Sequence, residues 1–292
     1  MVLYFLGLAG CHFLNTYSGV RYSRTTKTIF SLAIFSCITC VIASLFFLAL
    51  TGFHPQFNIT TLWYALAFAF ICLVSQYTGI AIYRYADIVG SGIVRSGASL
   101  LLNCLAGVVL FGESFSGFTA IRIMCMLGAS ALVLWQQKHA EIKKCTGIGW
   151  LISGVMVVNG IASNALSKSY ATNPDVVDDN SYFLLVNLIC LVVSLSVALI
   201  IQRGRISCCI SELHMIRPKQ FGYIVINTVS SNVTSLLILA ILSRGDIVLL
   251  TPLNSAIAFL ISQGIAVFFE KEKLMPIPVL LALTATFISF LG

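Results

Sequence analysis

Charged side chains are scarce in this chain of 292 residues: Asp, Glu, Lys and Arg together make up 9% of it. A soluble domain carries about a quarter of its residues as these four types, because its surface faces water. Hydrophobic residues make up 59% of the chain, and the mean hydropathy is +0.98. The composition excludes an ordinary soluble protein and predicts an integral membrane protein.

Short segments of alternating polar and apolar residues, which a transmembrane β-barrel needs, are missing as well. Runs such as SLAIFSCITCVIASLFFLAL are apolar on all faces instead, and about 20 such residues in a helix cross the hydrocarbon core of a bilayer. The runs lie near residues 2–20, 29–51, 62–83, 88–111, 117–136, 147–168, 182–202, 220–242, 246–269 and 274–291. The predicted fold is an all-α membrane protein with ten transmembrane helices.

The chain also lacks polar segments long enough for a soluble domain, because its longest connections are only loop-sized. It contains no nucleotide-binding motif, and we expect no nucleic-acid partner. The ten cysteines have neither paired nor metal-ligand spacing, which argues against a disulfide framework. The first apolar run begins at Met1 without a basic leader, which predicts a retained helix rather than a signal peptide.

Acidic residues are absent from the interiors of the predicted helices, since all ten lie at helix ends or in loops. A membrane-embedded hydrolase or metal enzyme needs clustered carboxylates or histidines within its spans. We therefore predict no catalytic residue, no metal site and no cofactor, and we expect the protein not to be an enzyme. A polytopic membrane enzyme or a sensor is the alternative from another class.

An internal repeat appears when the chain is aligned with itself at a shift of 159 residues. Residues 87–113 then align without a gap with residues 246–272, so that Asp87 meets Asp246 and Glu113 meets Glu272. Similar helices arising by chance are the simpler alternative. Read as a repeat, the chain divides into five-helix halves, 1–140 and 141–292, that enter the membrane from opposite sides. Such inverted repeats are typical of secondary transporters that bind substrate near the midplane.

Several short motifs make the chain resemble the drug/metabolite transporter superfamily in its ten-helix EamA-type form. They are a basic residue ending helix 1 (Arg21 or Arg24), Lys168 ending helix 6, and the stretches AIYRYADIVGSGIV, LFGESFSG, AILSRGDIVLLTPLNS and FFEKEKL. The resemblance implies a metabolite exporter that works by alternating access. Helix 1 lacks the membrane-embedded glutamate of the superfamily's small multidrug antiporters, which disfavours an organic-cation antiporter. Pro252 aligns with Ile93, so only the second half has the helix proline that the family often carries in both.

The distribution of basic residues predicts the orientation in a plasma (inner) membrane. The odd connections, beginning with the one between helices 1 and 2, carry 13 Lys and Arg residues, and the even connections carry 2. The positive-inside rule places the odd loops in the cytoplasm and both termini outside. The resemblance implies the opposite, because ten-helix members usually keep both termini in the cytoplasm.

Polar side chains inside the spans are the candidate site. In helix 4, Ser91, Arg95, Ser99 and Asn103 recur every four residues and form one stripe on the helix. The predicted substrate-binding set adds Asn254 and Ser262 in helix 9, Asn227 and Ser231 in helix 8, and Asn15, Tyr17, Gln76 and Asn164 in helices 1, 3 and 6. Interhelical hydrogen bonding without a substrate is the alternative for any single Ser or Asn. Arg122 and Lys168 are expected to snorkel to the interface.

Arg95 carries the functional hypothesis, because an arginine deep in a membrane helix is costly and is typical of a functional site. We predict a secondary transporter for a small anionic or zwitterionic metabolite, such as an amino acid or organic acid, whose negative group Arg95 binds. His12 is the candidate for proton coupling, with sodium as the other possible coupling ion, and Pro252 is the candidate hinge. A sugar-phosphate or nucleotide-sugar exchanger of the same fold is the alternative.

Overall fold

A computed structural model describes residues 2–23, 29–85, 88–139, 147–214, 216–243, 245, 247–270 and 276–291. These residues form eleven α-helices and no strand: α1 (Val2–Ser23), α2 (Ile29–Leu50), α3 (Ile59–Tyr85), α4 (Ile88–Phe111), α5 (Gly117–His139), α6 (Gly147–Ala171), α7 (Asp179–Ile201), α8 (Ile206–His214), α9 (Pro218–Leu242), α10 (Ile247–Glu270) and α11 (Pro276–Leu291). The predicted helices 8, 9 and 10 are α9, α10 and α11. The all-α fold class is confirmed.

Six of the helices, α2, α3, α6, α7, α9 and α10, are long and apolar enough to cross a membrane. They look uniformly apolar because both of their environments, lipid on one side and packed helices on the other, accept hydrocarbon. The coarser prediction, a helical membrane protein, therefore agrees with the structure.

The short helix α8 was not predicted, because it falls in the connection between α7 and α9 that we assigned to a loop. Its apolar residues recur at Ile206, Ile210 and Leu213, the spacing of one helical face. That spacing was visible in the sequence, but nine residues are too few to stand out among runs of twenty.

Capping side chains explain where several helices begin. Their oxygen atoms accept hydrogen bonds from backbone N–H groups that the first helical turn leaves without partners. The caps are Asn58 for Thr61 N at 2.7 Å, Ser116 for Thr119 N at 3.2 Å, and Asp178 for Ser181 N at 3.0 Å. They start α3, α5 and α7.

The helices pack in pairs and form a bundle with two ends. Helix α2 packs on α7, α4 on α10, and α5 on α11, while α1, α9, α6 and α3 contact one another in that order and close a ring. We call the end where α4 and α6 finish and α10 begins the Glu113 end, after the residue that follows α4. The opposite end, where α7 finishes, is the α8 end.

Candidate functional site

The four helices of the ring share an unusual pattern of exposure. No residue is fully buried over 9–17 of α1, 70–79 of α3, 160–166 of α6 or 231–238 of α9. A helix that packs tightly on one side alternates buried and exposed residues along its turns. Over two or more turns, these four helices therefore lack a fully buried face, and their residues pack only in part against their neighbours.

His12 and Asn254 meet across the two halves of the chain. His12, in the middle of α1, has its Nε2 atom 2.8 Å from Asn254 Oδ1 on α10. Both residues belong to the predicted site, although they were predicted for different roles. A neutral imidazole must carry its proton on Nε2 to donate to an amide oxygen, so this contact selects one tautomer of His12.

A second contact between the halves joins α1 to α9. Asn227 donates from Nδ2 to the carbonyl oxygen of Asn15 at 3.1 Å, to the Asn15 side chain at 2.5 Å and to Ser18 Oγ at 3.3 Å. Asn15 and Asn227 were predicted site residues and Ser18 was not. The amide group of Asn227 is held in one orientation, with its oxygen directed away from these acceptors.

A third contact joins α4 to α6. Asn164 Nδ2 donates to Asn103 Oδ1 at 2.9 Å, and Asn103 Nδ2 donates to the Ser99 side-chain and backbone oxygens at 2.8 Å. Helix α6 passes close to Ser99 at Gly160, where a Cβ atom would lie at an ordinary van der Waals distance of 3.7 Å from Ser99 Oγ. Three predicted site residues therefore form one hydrogen-bonded chain.

Gln76 lies in a different group, at the junction of α2, α3 and α7. Ser36 donates to Gln76 Oε1 at 2.5 Å and lies 2.7 Å from Ser194 Oγ. Neither serine was predicted, because a single serine in an apolar helix gives no signal in the sequence. Gln76 is thus half-buried in a polar contact that also connects the first half to the second.

The remaining described site residues make other contacts. Ser262 donates to Ala258 O within α10 at 2.8 Å, and the Ser231 carbonyl accepts from Ser235 at 3.1 Å. Tyr17 packs with Phe269, with ring centroids 5.0 Å apart, at the α8 end. Pro252 lies inside α10 and has no N–H for the carbonyl oxygen of Val248; Cys104 Sγ lies 4.0 Å from that oxygen.

Arg95 and Ser91 lie within the described backbone of α4, but their side chains are outside the described part of the structure. The role that we predicted for Arg95 stays a prediction. Asp87, Asp246 and Glu272, three of the four acids that bracket the repeat, also lie outside the described residues.

Glu113 is the acidic member of the repeat that the structure describes. Gly112, at φ +64°, ends α4 in the left-handed conformation that favours glycine, and Glu113 N donates back to Gly107 O at 3.2 Å. This turn, a common helix end, directs the Glu113 carboxylate towards the start of α10. There Oε1 accepts from Ile247 N at 3.0 Å and Oε2 accepts from Val248 N at 2.9 Å.

Lys168 completes the group at the Glu113 end. Its Nζ lies 3.6 Å from Glu113 Oε1 and donates to Gly245 O at 2.5 Å, and the Glu113 and Lys168 side chains are 3% and 12% exposed. A carboxylate at a helix N-terminus is stabilised by the free N–H groups and the helix dipole. Lys168 therefore binds a buried partner, whereas we expected it to snorkel.

The expectation for Arg122 was wrong. Its side chain is 1% exposed, and its Nε and Nη1 atoms have no hydrogen-bond partner among the described residues. Its neighbours on α5, Ile123 and Met126, belong to a buried cluster with residues of α4, α10 and α11. Arg122 is therefore buried within the helices and does not reach the interface as we expected.

Comparisons with known proteins identify the fold and nothing finer. No family model and no curated protein sequence matches the chain. Chains of solved structures do match, 28 in number; one is a crystal structure of a protein that is 14% identical, with a TM-score of 0.68 over 99% of this chain and 96% of its own. At this identity the likeness shows that an experimentally solved protein shares the fold.

Proposed function

We propose that the protein is a secondary transporter that exports a small anionic or zwitterionic metabolite, such as an amino acid or organic acid, by alternating access. The observation that carries the proposal is the set of polar contacts between the two halves of the chain, which join His12 to Asn254, Asn15 to Asn227 and Asn164 to Asn103. Membrane helices that only anchor a protein have no need of such contacts, whereas a transporter binds its substrate between its halves.

The packing of the helices supports an inverted repeat of five helices. If α1 to α5 correspond to α6, α7, α9, α10 and α11, the contact of α1 with α9 corresponds to that of α6 with α3, and the contact of α4 with α6 corresponds to that of α10 with α1. The pairs α2 with α7, α4 with α10 and α5 with α11 correspond to themselves. This two-fold pattern, together with the repeated sequence motifs, favours a ten-span member of the drug/metabolite transporter superfamily.

The contacts at the Glu113 end support a conformation that is closed on that side. Glu113 connects the end of α4 to α10 and Lys168, and nearby the rings of Tyr170 on α6 and Tyr182 on α7 stack with centroids 4.0 Å apart. Alternating access requires that one end open as the other closes. In this proposal the Glu113 end opens when α4, α6 and α10 separate.

The chemistry of the interior favours a small substrate with a carboxylate. Asparagine, glutamine and histidine side chains can both donate and accept, which suits a zwitterion, and Arg95 would bind the negative group with charge-assisted hydrogen bonds. A sugar-phosphate or nucleotide-sugar substrate calls for several cations in the interior. Of the described cations within the helices, Lys168 pairs with Glu113, Arg122 is buried on α5, and Arg21 and Lys219 lie in the terminal turns of α1 and α9.

Substrate binding and uptake by the purified protein test the proposal. A thermal-shift screen against amino acids and organic acids should find a ligand, and proteoliposomes should accumulate that ligand when labelled. Arg95→Ala should abolish binding, because a site with a Kd of about 1 mM provides only about 4 kcal/mol and losing a buried ionic partner costs about 3 to 5 kcal/mol. Arg95→Lys should weaken binding less.

Arg122→Ala is the matched control, since it removes the other arginine of the spans. Normal binding by a folded Arg95→Ala protein would exclude Arg95 from the site. Turnover of a ligand into a product, without accumulation in the vesicle, would favour the membrane-enzyme alternative.

A further inference from the structure

Helix α8 has an apolar face of which about half remains exposed. The side chains of Ile206, Ile210 and Leu213 are 62%, 50% and 45% exposed. Their spacing of four and then three residues puts them on one side of the helix. An exposed apolar face on a short helix between two spans is unfavourable in water, so we expect lipid or another protein to cover it.

Contacts with the bundle fix the direction in which this face points. Cys209 is buried and packs in one cluster with Ala33 and Ile34 of α2 and Ala198 of α7. Ser207 and Ser211 each follow an isoleucine by one residue, which places them about 100° further around the helix, and both are exposed. Helix α8 is therefore held through Cys209, and its exposed surface carries an apolar strip beside a polar one.

Basic residues flank the apolar face on both sides along the chain. Arg203 and Arg205 precede α8, Arg217 and Lys219 follow it, and all four are exposed. Glu212 is the one acidic residue between positions 203 and 219. The surface thus combines a hydrophobic strip with a net positive charge.

The ends of the neighbouring helices α7 and α9 indicate how deeply α8 lies in the bilayer. Helix α7 ends at Ile201 and α9 begins at Pro218, and both helices are long and apolar enough to cross a membrane. A nine-residue helix that joins the ends of two spans lies where those spans leave the hydrocarbon. An apolar strip at this depth reaches the acyl chains, and basic side chains beside it reach the phosphate groups.

We propose that α8 and the four flanking basic residues form a binding surface for anionic phospholipids in the leaflet at the α8 end. Ile206, Ile210 and Leu213 enter the acyl region, while Arg203, Arg205, Arg217 and Lys219 bind the negative headgroups. A single acidic residue among four cations gives the surface a charge that zwitterionic lipids do not complement, which is why the proposal names anionic lipids. It depends on the membrane location and not on the proposed transport function.

Quenching by lipid measures which side of α8 enters the bilayer. Dansylalanine is introduced at one position at a time, as Ile210→dansylalanine or Ser211→dansylalanine, and the purified full chain is placed in nanodiscs of brominated phosphatidylcholine. We expect strong quenching at position 210 and weak quenching at position 211, a matched position on the polar side of the same helix. Equal quenching, or stronger quenching at 211, would overturn the proposal, and so would a water-exposed emission at 210, which is the result expected of a protein-docking surface.

The headgroup charge is tested on the same labelled protein. Replacing about one third of the lipid by brominated phosphatidylglycerol should increase quenching at 210 by roughly twofold, because charge draws the helix towards the surface. The combined variant Arg203→Gln, Arg205→Gln, Arg217→Gln and Lys219→Gln should lose this increase, and Lys143→Gln with Lys144→Gln, which removes charge from another connection, should keep it. No increase in the unsubstituted protein, or an increase that survives in the combined variant, would overturn the assignment to anionic lipid.

Discussion

Lys168 Nζ lies 3.6 Å from Glu113 Oε1 at one end of the bundle, although the two residues belong to different halves of the chain. The same carboxylate accepts hydrogen bonds from the N–H groups of Ile247 and Val248. One buried side chain therefore connects the ends of α4 and α6 to the start of α10. This makes Glu113 the first position at which to disturb the contacts at this end.

Glu113→Gln should loosen the Glu113 end. Glutamine keeps one carbonyl oxygen but loses the charge, so one backbone N–H and Lys168 lose a partner. Breaking a buried ion pair costs about 3 to 5 kcal/mol, and we expect the lower end of this range because Lys168 is partly exposed. Thermal unfolding should show the loss, and N-ethylmaleimide should modify Cys104, which is buried on α4, faster than in the unsubstituted protein.

Glu212→Gln on α8 is the control for the same chemical change, and it should leave both measurements unaltered. Mapping the modified cysteines by mass spectrometry avoids any cysteine substitution. If Glu113→Gln were as stable as the parent protein and Cys104 reacted no faster, the carboxylate would not hold this end closed.

Gly107→Ala should have a similar effect without changing any charge. A Cβ atom at position 107 would lie 2.5 Å from Glu113 Oε2 and 2.8 Å from Val248 Cγ2, which forces the carboxylate away from the α10 amides. Gly154→Ala is the matched control, because a Cβ atom there meets nothing within 4 Å and alanine favours a helix by about 1 kcal/mol. Unfolding temperatures should fall for Gly107→Ala and stay equal or rise for Gly154→Ala. Equal shifts in both would mean that α4 and α10 can move apart freely.

The sequence predicted the ten long helices well because each is a long apolar run, a strong and local signal. The sequence did not predict α8. It also did not predict which helices pack together, because Asn103 and Asn164 are 61 residues apart and no feature of the sequence around them marks them as partners. The only feature of Glu113 in the sequence is that it aligns with Glu272 in the internal repeat. Its capping role depends on the turn at Gly112 and on the position of α10, which are tertiary features.

Arg122→Met should raise the stability of the protein. Methionine has a similar length, and replacing buried charged groups by apolar ones of similar volume often stabilises a protein by about 1 to 4 kcal/mol. The reason to expect this is that Arg122 is buried and that no residue in the described ranges forms a hydrogen bond with its Nε or Nη1 atom. Thermal unfolding in detergent measures the change. A marked fall would indicate that the guanidinium has a partner that matters for folding.

His12→Gln tests proton coupling. Glutamine can still donate a hydrogen bond to Asn254 Oδ1, the atom that His12 contacts at 2.8 Å, but it cannot take up a proton near neutral pH. If His12 carries the coupled proton, uptake should lose its dependence on a pH gradient while substrate binding persists. Asn254→Asp is a useful companion variant, because a negative charge beside His12 favours its protonated form. Unchanged pH dependence in His12→Gln would move the coupling elsewhere, and dependence on sodium should then be measured.

Labelling of native cysteines tests the orientation. Cys208 is half-buried on α8 and its neighbour Cys209 is buried, so Cys208 should be the reactive one of the two. With 13 basic residues in the odd connections, the positive-inside rule puts α8 in the cytoplasm. A membrane-impermeant maleimide should therefore label Cys208 only after the cells are permeabilised. Labelling of intact cells would instead agree with the orientation that the family resemblance implies.

Some polar residues predicted for the candidate site lie in contact with one another. The sequence predicted His12, Asn15, Asn103, Asn164, Asn227 and Asn254 as polar side chains inside the spans, and the structure brings them together in pairs. Serines were less informative, because a serine can bond to its own helix, as Ser262 does. Ser36 and Ser194, which do connect helices, have no sequence feature that separates them from the others.

The contacts between the halves also have a kinetic consequence. Hydrogen bonds between helices in a membrane contribute on average about 0.6 kcal/mol each, so separating the pairs His12 with Asn254, Asn15 with Asn227, Asn103 with Asn164 and Ser36 with Ser194 costs about 2 to 3 kcal/mol. By themselves these four contacts would leave a second arrangement populated at about 1 to 3%, and breaking the Glu113–Lys168 pair as well would lower that population further. These four contacts between the halves would then be weak enough for thermal motion to break and re-form them within microseconds to milliseconds.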